Sequence, residues 1–106
     1  MEKLLICQLM DRTAIGYENA KNEMREYIYS KFNTEIKEAM FQRADKGYNS
    51  AGFSINFRPS CLLDEEVRKI FLNIIIEEGF DPNDIQFTEY WVHGFSGYIS
   101  WKEIDE

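Results

Sequence analysis

One histidine, His93, and two cysteines, Cys7 and Cys61, are the side chains here that a Cys–His nucleophile or a zinc site would need. A Cys–His nucleophile pair needs closeness in space rather than in sequence, so Cys61 or Cys7 could in principle serve His93. Nothing local supports such a pair. Cys61 precedes a helix start, where a thiol can be activated, but Leu62 and Leu63 follow it and suggest burial. No Cys-x-x-Cys or Cys/His cluster is present, which argues against structural zinc. Asp81-Pro82-Asn83-Asp84 offers oxygen ligands but lacks the alternating spacing and distal glutamate of a calcium loop, and reads as a turn. Glu77 and Glu78 are adjacent on a helix and cannot face each other as a catalytic pair. Glycine-rich phosphate loops and the Gly-x-Ser-x-Gly elbow are also missing. The expectation is a protein that is not an enzyme and needs no cofactor.

Charge points toward partners instead. The net charge is −7; residues 1–50 balance eight acids against eight bases, while residues 51–106 carry eleven acids and four bases. Direct binding to nucleic acid requires a basic patch, and none is visible. An acidic surface favours basic protein partners through steering, or serves only solubility. The start, MEKLLICQLMDR, has too short an apolar run and no small-residue cleavage site for a secretion signal. No stretch approaches the roughly 20 apolar residues that span a bilayer. With two cysteines read as free thiols, the reading is a soluble, cytoplasmic protein of one domain, residues 1–106.

The elements follow from periodicity. Residues 14–46 lack proline and place Tyr17, Ala20, Met24, Ile28, Ile36 and Met40 at helical spacing. They form one helix, or two broken near Ser30–Thr34, ending at Gly47. Gly52–Arg58 alternates as a strand and Pro59 stops it. Asp64 caps the next helix, whose inner stripe is Val67, Ile70, Phe71, Ile74 and Ile75, with Gly79 at its C-terminal cap. Leu72 and Ile76 widen that stripe, so either the long helix covers them or a second chain does, which makes them candidate oligomer contacts. Ile85–Val92 and Gly97–Trp101 are strands joined by a loop at 93–96. The fold class is therefore α+β: a long N-terminal helix, then β-α-β-β, with a three-stranded sheet carrying both helices on one face. The last strand belongs in the middle, where a right-handed crossover makes the first two strands parallel around it.

Alternation then sorts the sheet. Phe53, Ile55, Phe57, Ile85, Phe87, Trp91, Ile99 and Trp101 fall on the core face. The other face would carry Ser54, Asn56, Gln86, Thr88, Tyr90, Val92, Tyr98 and Ser100, with no charge among them. Tyrosines among small polar groups make a good contact surface, so Asn56, Thr88, Tyr90 and Tyr98 are the candidate partner-binding residues. Glu65, Glu66, Asp81 and Asp84 are the candidate acidic surface around them. Alternatively the run Leu4–Met10 lies across this face, or the face is simply polar. Glu89 falls on the core face by register, so it must sit at an edge or a bulge must shift the strand.

The pieces Gly52-Phe53-Ser54-Ile55, Gly79-Phe80 and Ile99-Ser100-Trp101, following a long helix, resemble small accessory proteins of tailed phages and prophages. The resemblance covers roughly residues 36–101, is most specific in its Ile-Ser-Trp ending, and implies an origin and a bacterial host cell rather than any catalytic residue. The expected function is binding of a host protein, with inhibition of a defence or nucleic-acid-handling protein through its basic groove. The alternatives are a homo-oligomeric phage structural or assembly protein, and a small-ligand binder that stacks a nucleotide on Tyr90 or Trp91.

Overall fold

A computed structural model describes residues 4–101. The chain runs α1 (Leu5–Lys31), a π-helical segment (Phe32–Ile36), α2 (Lys37–Asp45), β1 (Ser50–Asn56), α3 (Asp64–Glu77), a 3₁₀ turn (Pro82–Asp84), β2 (Ile85–Trp91) and β3 (Gly94–Ser100). The sheet order is β1-β3-β2, and β3 is antiparallel to both neighbours, so β1 and β2 run parallel around it as expected.

The first three elements are one continuous helix, and the break considered near Ser30–Thr34 is instead the π-helical segment. Its cause is visible in the buried stripe. Met24, Ile28, Phe32, Ile36 and Met40 are all buried and recur every fourth residue. An α-helix turns once in 3.6 residues, so a strict four-residue repeat drifts about 40° per step. A wider π turn absorbs that drift and keeps Phe32, Ile36 and Met40 on the sheet. The helix also starts earlier than residue 14. Leu5–Gly16 extends beyond the rest of the molecule as a free-standing arm, which stretches the whole to 67 × 30 × 22 Å. Leu4–Met10 therefore does not lie across the open sheet face. Residues 17–101 form the head.

The head's core lies between the sheet and the two long helices. Phe95 is fully buried at its centre, with the rings of Phe71, Phe87, Phe53 and Phe57 at 5.3, 5.6, 6.2 and 6.3 Å. The expected 93–96 loop is thus corrected. The hairpin turns on Val92 and His93 alone, Gly94–Ser100 is strand, and Phe95 joins Gly97 and Ile99 on the core face. Trp101, expected in the core, is only half-buried at its margin. Gly47 and Gly79 take positive φ after their helices, 89° and 98°, as cap glycines do. Phe80 folds back onto the core after Gly79.

Asp64 has a different task from the one its position suggests. The N-cap of α3 is Leu63, which makes no side-chain cap bond, and the Asp64 carboxylate turns to the hairpin. It accepts the backbone N–H of His93 at 3.0 Å and meets His93 Nδ1 at 3.1 Å. His93 has φ 60°, a region costly for a residue with a Cβ, and these two bonds hold it there. The His93 N–H, then the imidazole, keep the Asp64 carboxyl below its ordinary value. A depressed carboxylate pKa stabilises the fold above the unfolded-state value, and that contribution disappears as pH falls through the folded one. Wild-type protein is therefore expected to lose more of its thermal midpoint between neutrality and about pH 3 than Asp64→Asn does. Parallel melting curves on that acid limb would remove Asp64 as the pH-sensitive clasp.

Candidate functional site on the open sheet face

Both helices pack on one side of the sheet, which leaves the other side uncovered. Strand alternation places Gly52, Ser54 and Asn56 of β1, and Ser96 and Tyr98 of β3, on that side. The edge strand β2 brings the unexpected part. Phe87 pairs with Gly97 but Glu89 pairs with Ser96, so Thr88 is one residue extra and the strand bulges there. The anomaly of Glu89 is resolved by this bulge. Beyond it every side chain changes sides, because side chains alternate with period two. Glu89 and Trp91 now share the open face, while Tyr90 lies opposite Phe95 on the helix side.

Tyr90 is accordingly corrected from the open face. Its ring stacks on Phe87 at 6.1 Å, and the Arg68 guanidinium of α3 lies 4.6 Å from its centroid. Trp91, expected in the core, is instead the largest aromatic of the open face. Its Nε1–H donates to Asn56 Oδ1 at 2.7 Å, and its ring covers Gly94, where any Cβ would come within 1.9 Å of Nε1. Tyr98 stands in ordinary contact range of Gly52, 3.7 Å from where a Cβ would sit, and is 54% exposed. A shallow trough of about 410 Å³ crosses the same face, with Ser54, Thr88, Glu89, Ser96 and Tyr98 in its walls, and Trp91 and Asn56 lie outside that lining. Thr88 and Tyr98 thus come together at the trough as expected, joined by Glu89, while Asn56 is held by Trp91 on the same face outside the lining. Glu89 forms no salt bridge among the described residues and is the one charged side chain lining the trough. An exposed tyrosine ring beside a carboxylate and small hydroxyls suits a cationic side chain, through cation–π contact and a charge-assisted hydrogen bond.

The acidic residues proposed around this surface are dispersed. Glu65 and Glu66 lie in the first turn of α3, Glu65 within 3.9 Å of Lys69, while Glu66 accepts a hydrogen bond from Tyr17 that raises the phenol pKa. Asp81 and Asp84 lie past the other end of α3, where Asp81 accepts the Asn83 N–H at 2.8 Å. Neither pair borders the trough. Leu72 and Ile76 are also not beneath the long helix: the bonds between α1 and α3, Tyr17–Glu66 and Arg25–Glu77, lie on another flank of α3. Leu72 is half-buried against the core and Ile76 is 39% exposed, a narrow apolar margin.

His93 bonds to Asp64 and packs edge-on to Phe57, while both cysteines are exposed free thiols. Among the described residues no group of three or more His, Cys, Asp or Glu is placed to hold a metal ion. No helix among them is long and apolar enough to cross a membrane. An apolar cleft of about 250 Å³ lies between α2 and the end of α3, with Phe41, Phe80 and Trp101 in its wall. Among the described residues Lys37 is its one cation, a poor match for a nucleotide's phosphates. No protein-family model, curated protein or solved structure matches this chain.

Proposed function

We propose that the chain is a binding protein that takes a basic segment of a partner protein on the open face of its sheet. The observation that carries the reading is the trough, where the bulge at Thr88 turns Glu89 outward beside the exposed ring of Tyr98, with Trp91 further along the same face. Bulges commonly re-aim side chains at functional sites. The net charge of −7 supports the same reading by speeding encounter with basic partners. In the fuller form of the proposal the target is a nucleic-acid-handling or defence protein of a bacterial host, whose basic groove the acidic chain obstructs. The resemblance to phage accessory proteins supports that choice.

The test is retention of a host protein on immobilised wild-type chain at low salt, followed by titration of the purified protein. Trp91→Ala removes the largest aromatic of the open face and is expected to weaken binding by about 2 kcal/mol or more, roughly thirtyfold. Glu89→Gln should weaken it further and flatten its dependence on salt. Undiminished affinity in the double variant would remove the open face as the site.

A further inference from the structure

The arm Leu5–Gly16 carries a surface that neither the head nor the trough uses. Along the helix, Tyr17, Ala20, Met24 and Ile28 form the stripe that packs on the head. Counting back at 3.6 residues per turn, Ile6, Leu9, Met10 and Thr13 continue the same stripe. The apolar members stand in solvent, from 53% exposed at Leu9 to 68% at Leu5 beside them. Thr13 is the polar member, and its hydroxyl already donates to the Leu9 carbonyl at 2.7 Å, so its methyl can enter an apolar seam.

We infer that the occupant of this stripe is the arm of a second copy, packed antiparallel about a two-fold axis between Leu9 and Met10. Charge selects that occupant. The described arm carries Asp11 and Arg12 and is therefore neutral, in a chain of net charge −7. Like the first half of the chain as a whole, it lets two acidic copies meet without repulsion, and it offers a basic partner no excess acid to read. Sequence makes it self-complementary. With the axis between Leu9 and Met10, each Leu9 faces the other copy's Met10 and each Ile6 faces Thr13, as an isologous contact requires.

Shape selects the antiparallel sense. The stripe faces the side of the helix on which the head is built from Tyr17 onward. Two parallel arms joined stripe to stripe would drive both heads into one volume. Antiparallel arms place the heads at opposite ends. Stripe side chains of this size expose on the order of 100 Å² each. Both arms with their flanks thus bury about 800–1,000 Å², the small end for a specific interface, so the dimer is expected to be weak, with dissociation in roughly the micromolar range. The dimer would present two open sheet faces, so a partner with repeated sites would be held bivalently.

Sedimentation equilibrium of the purified full chain decides it. Wild type is expected to dimerise with dissociation in the micromolar range, and Leu9→Glu with Met10→Glu to be monomeric with the head's melting midpoint unchanged. In a Cys7→Ser, Cys61→Ser background, Met10→Cys should form a disulfide-linked dimer on mild oxidation. Leu5→Cys should not, because its two copies would lie about 13 Å apart along the axis. A monomeric wild type overturns the inference and leaves the open-face reading standing. So does a dimer that survives the double glutamate variant, or a Leu5→Cys that links as readily as Met10→Cys.

Discussion

Phe95→Ala is expected to lower the unfolding free energy by about 3–5 kcal/mol, the usual cost of truncating a buried aromatic. Small domains hold only about 5–15 kcal/mol in total, so the variant should be partly unfolded near physiological temperature. The expectation rests on position. Phe95 is inaccessible to solvent on the central strand, and the rings of Phe53, Phe57, Phe71 and Phe87 all lie within 6.3 Å of it. These neighbours come from β1, its C-terminal extension, α3 and β2, so no single element can shift to fill the space. Trp101→Ala, by contrast, trims a half-exposed ring at the core's margin and should cost markedly less. Urea unfolding of the two variants separates the claims. An equal loss, at unchanged denaturant slope, would mean that the centre of the core has been misplaced.

That contrast also marks where the sequence was legible and where it was not. The stripe of α3, the cap glycines Gly47 and Gly79, and the central place of the last strand followed from periodicity and from the geometry of crossovers. Glu89 announced the bulge, because a carboxylate cannot sit on the core face of a small domain unpaired. What it could not announce was the side on which the register slips. That left Tyr90 and Trp91 on each other's faces, since one extra residue reverses all that follow. Phe95 was hidden for another reason. A tight hairpin turn is normally written with Gly or Asn at positive φ, and here the residue is His93, held by Asp64 on a distant element. Such a turn is a tertiary feature with no local signal. The arm was legible in principle. Ile6, Met10 and Tyr17 already share one helical stripe, but only the structure shows that the head ends at Tyr17 and leaves the rest bare.

Two glycines of β3 should respond to the same substitution in opposite ways. A Cβ on Gly97 would come within 2.0 Å of the Gln86 carbonyl oxygen and 2.9 Å of the Phe53 ring. The first is backbone of the paired edge strand, just before the bulge, and cannot swing aside without parting β2 from β3. Gly97→Ala is therefore expected to cost at least the roughly 1–3 kcal/mol of core overpacking. It should also raise amide exchange along β2 selectively. A Cβ on Gly94 meets the indole of Trp91, at 1.9 Å from Nε1. That side chain is 36% exposed and can rotate away, at the loss of its bond to Asn56. Gly94→Ala should therefore fold with close to wild-type stability, while Trp91 leaves its seat and partner binding falls as far as in Trp91→Ala. Tryptophan fluorescence in a Trp101→Phe background would report the displacement directly. A Gly94→Ala protein with wild-type emission and full binding would show that the seat of Trp91 does not contribute to the binding face. A Gly97→Ala protein of unchanged stability would show that the two strands approach less closely than the register requires.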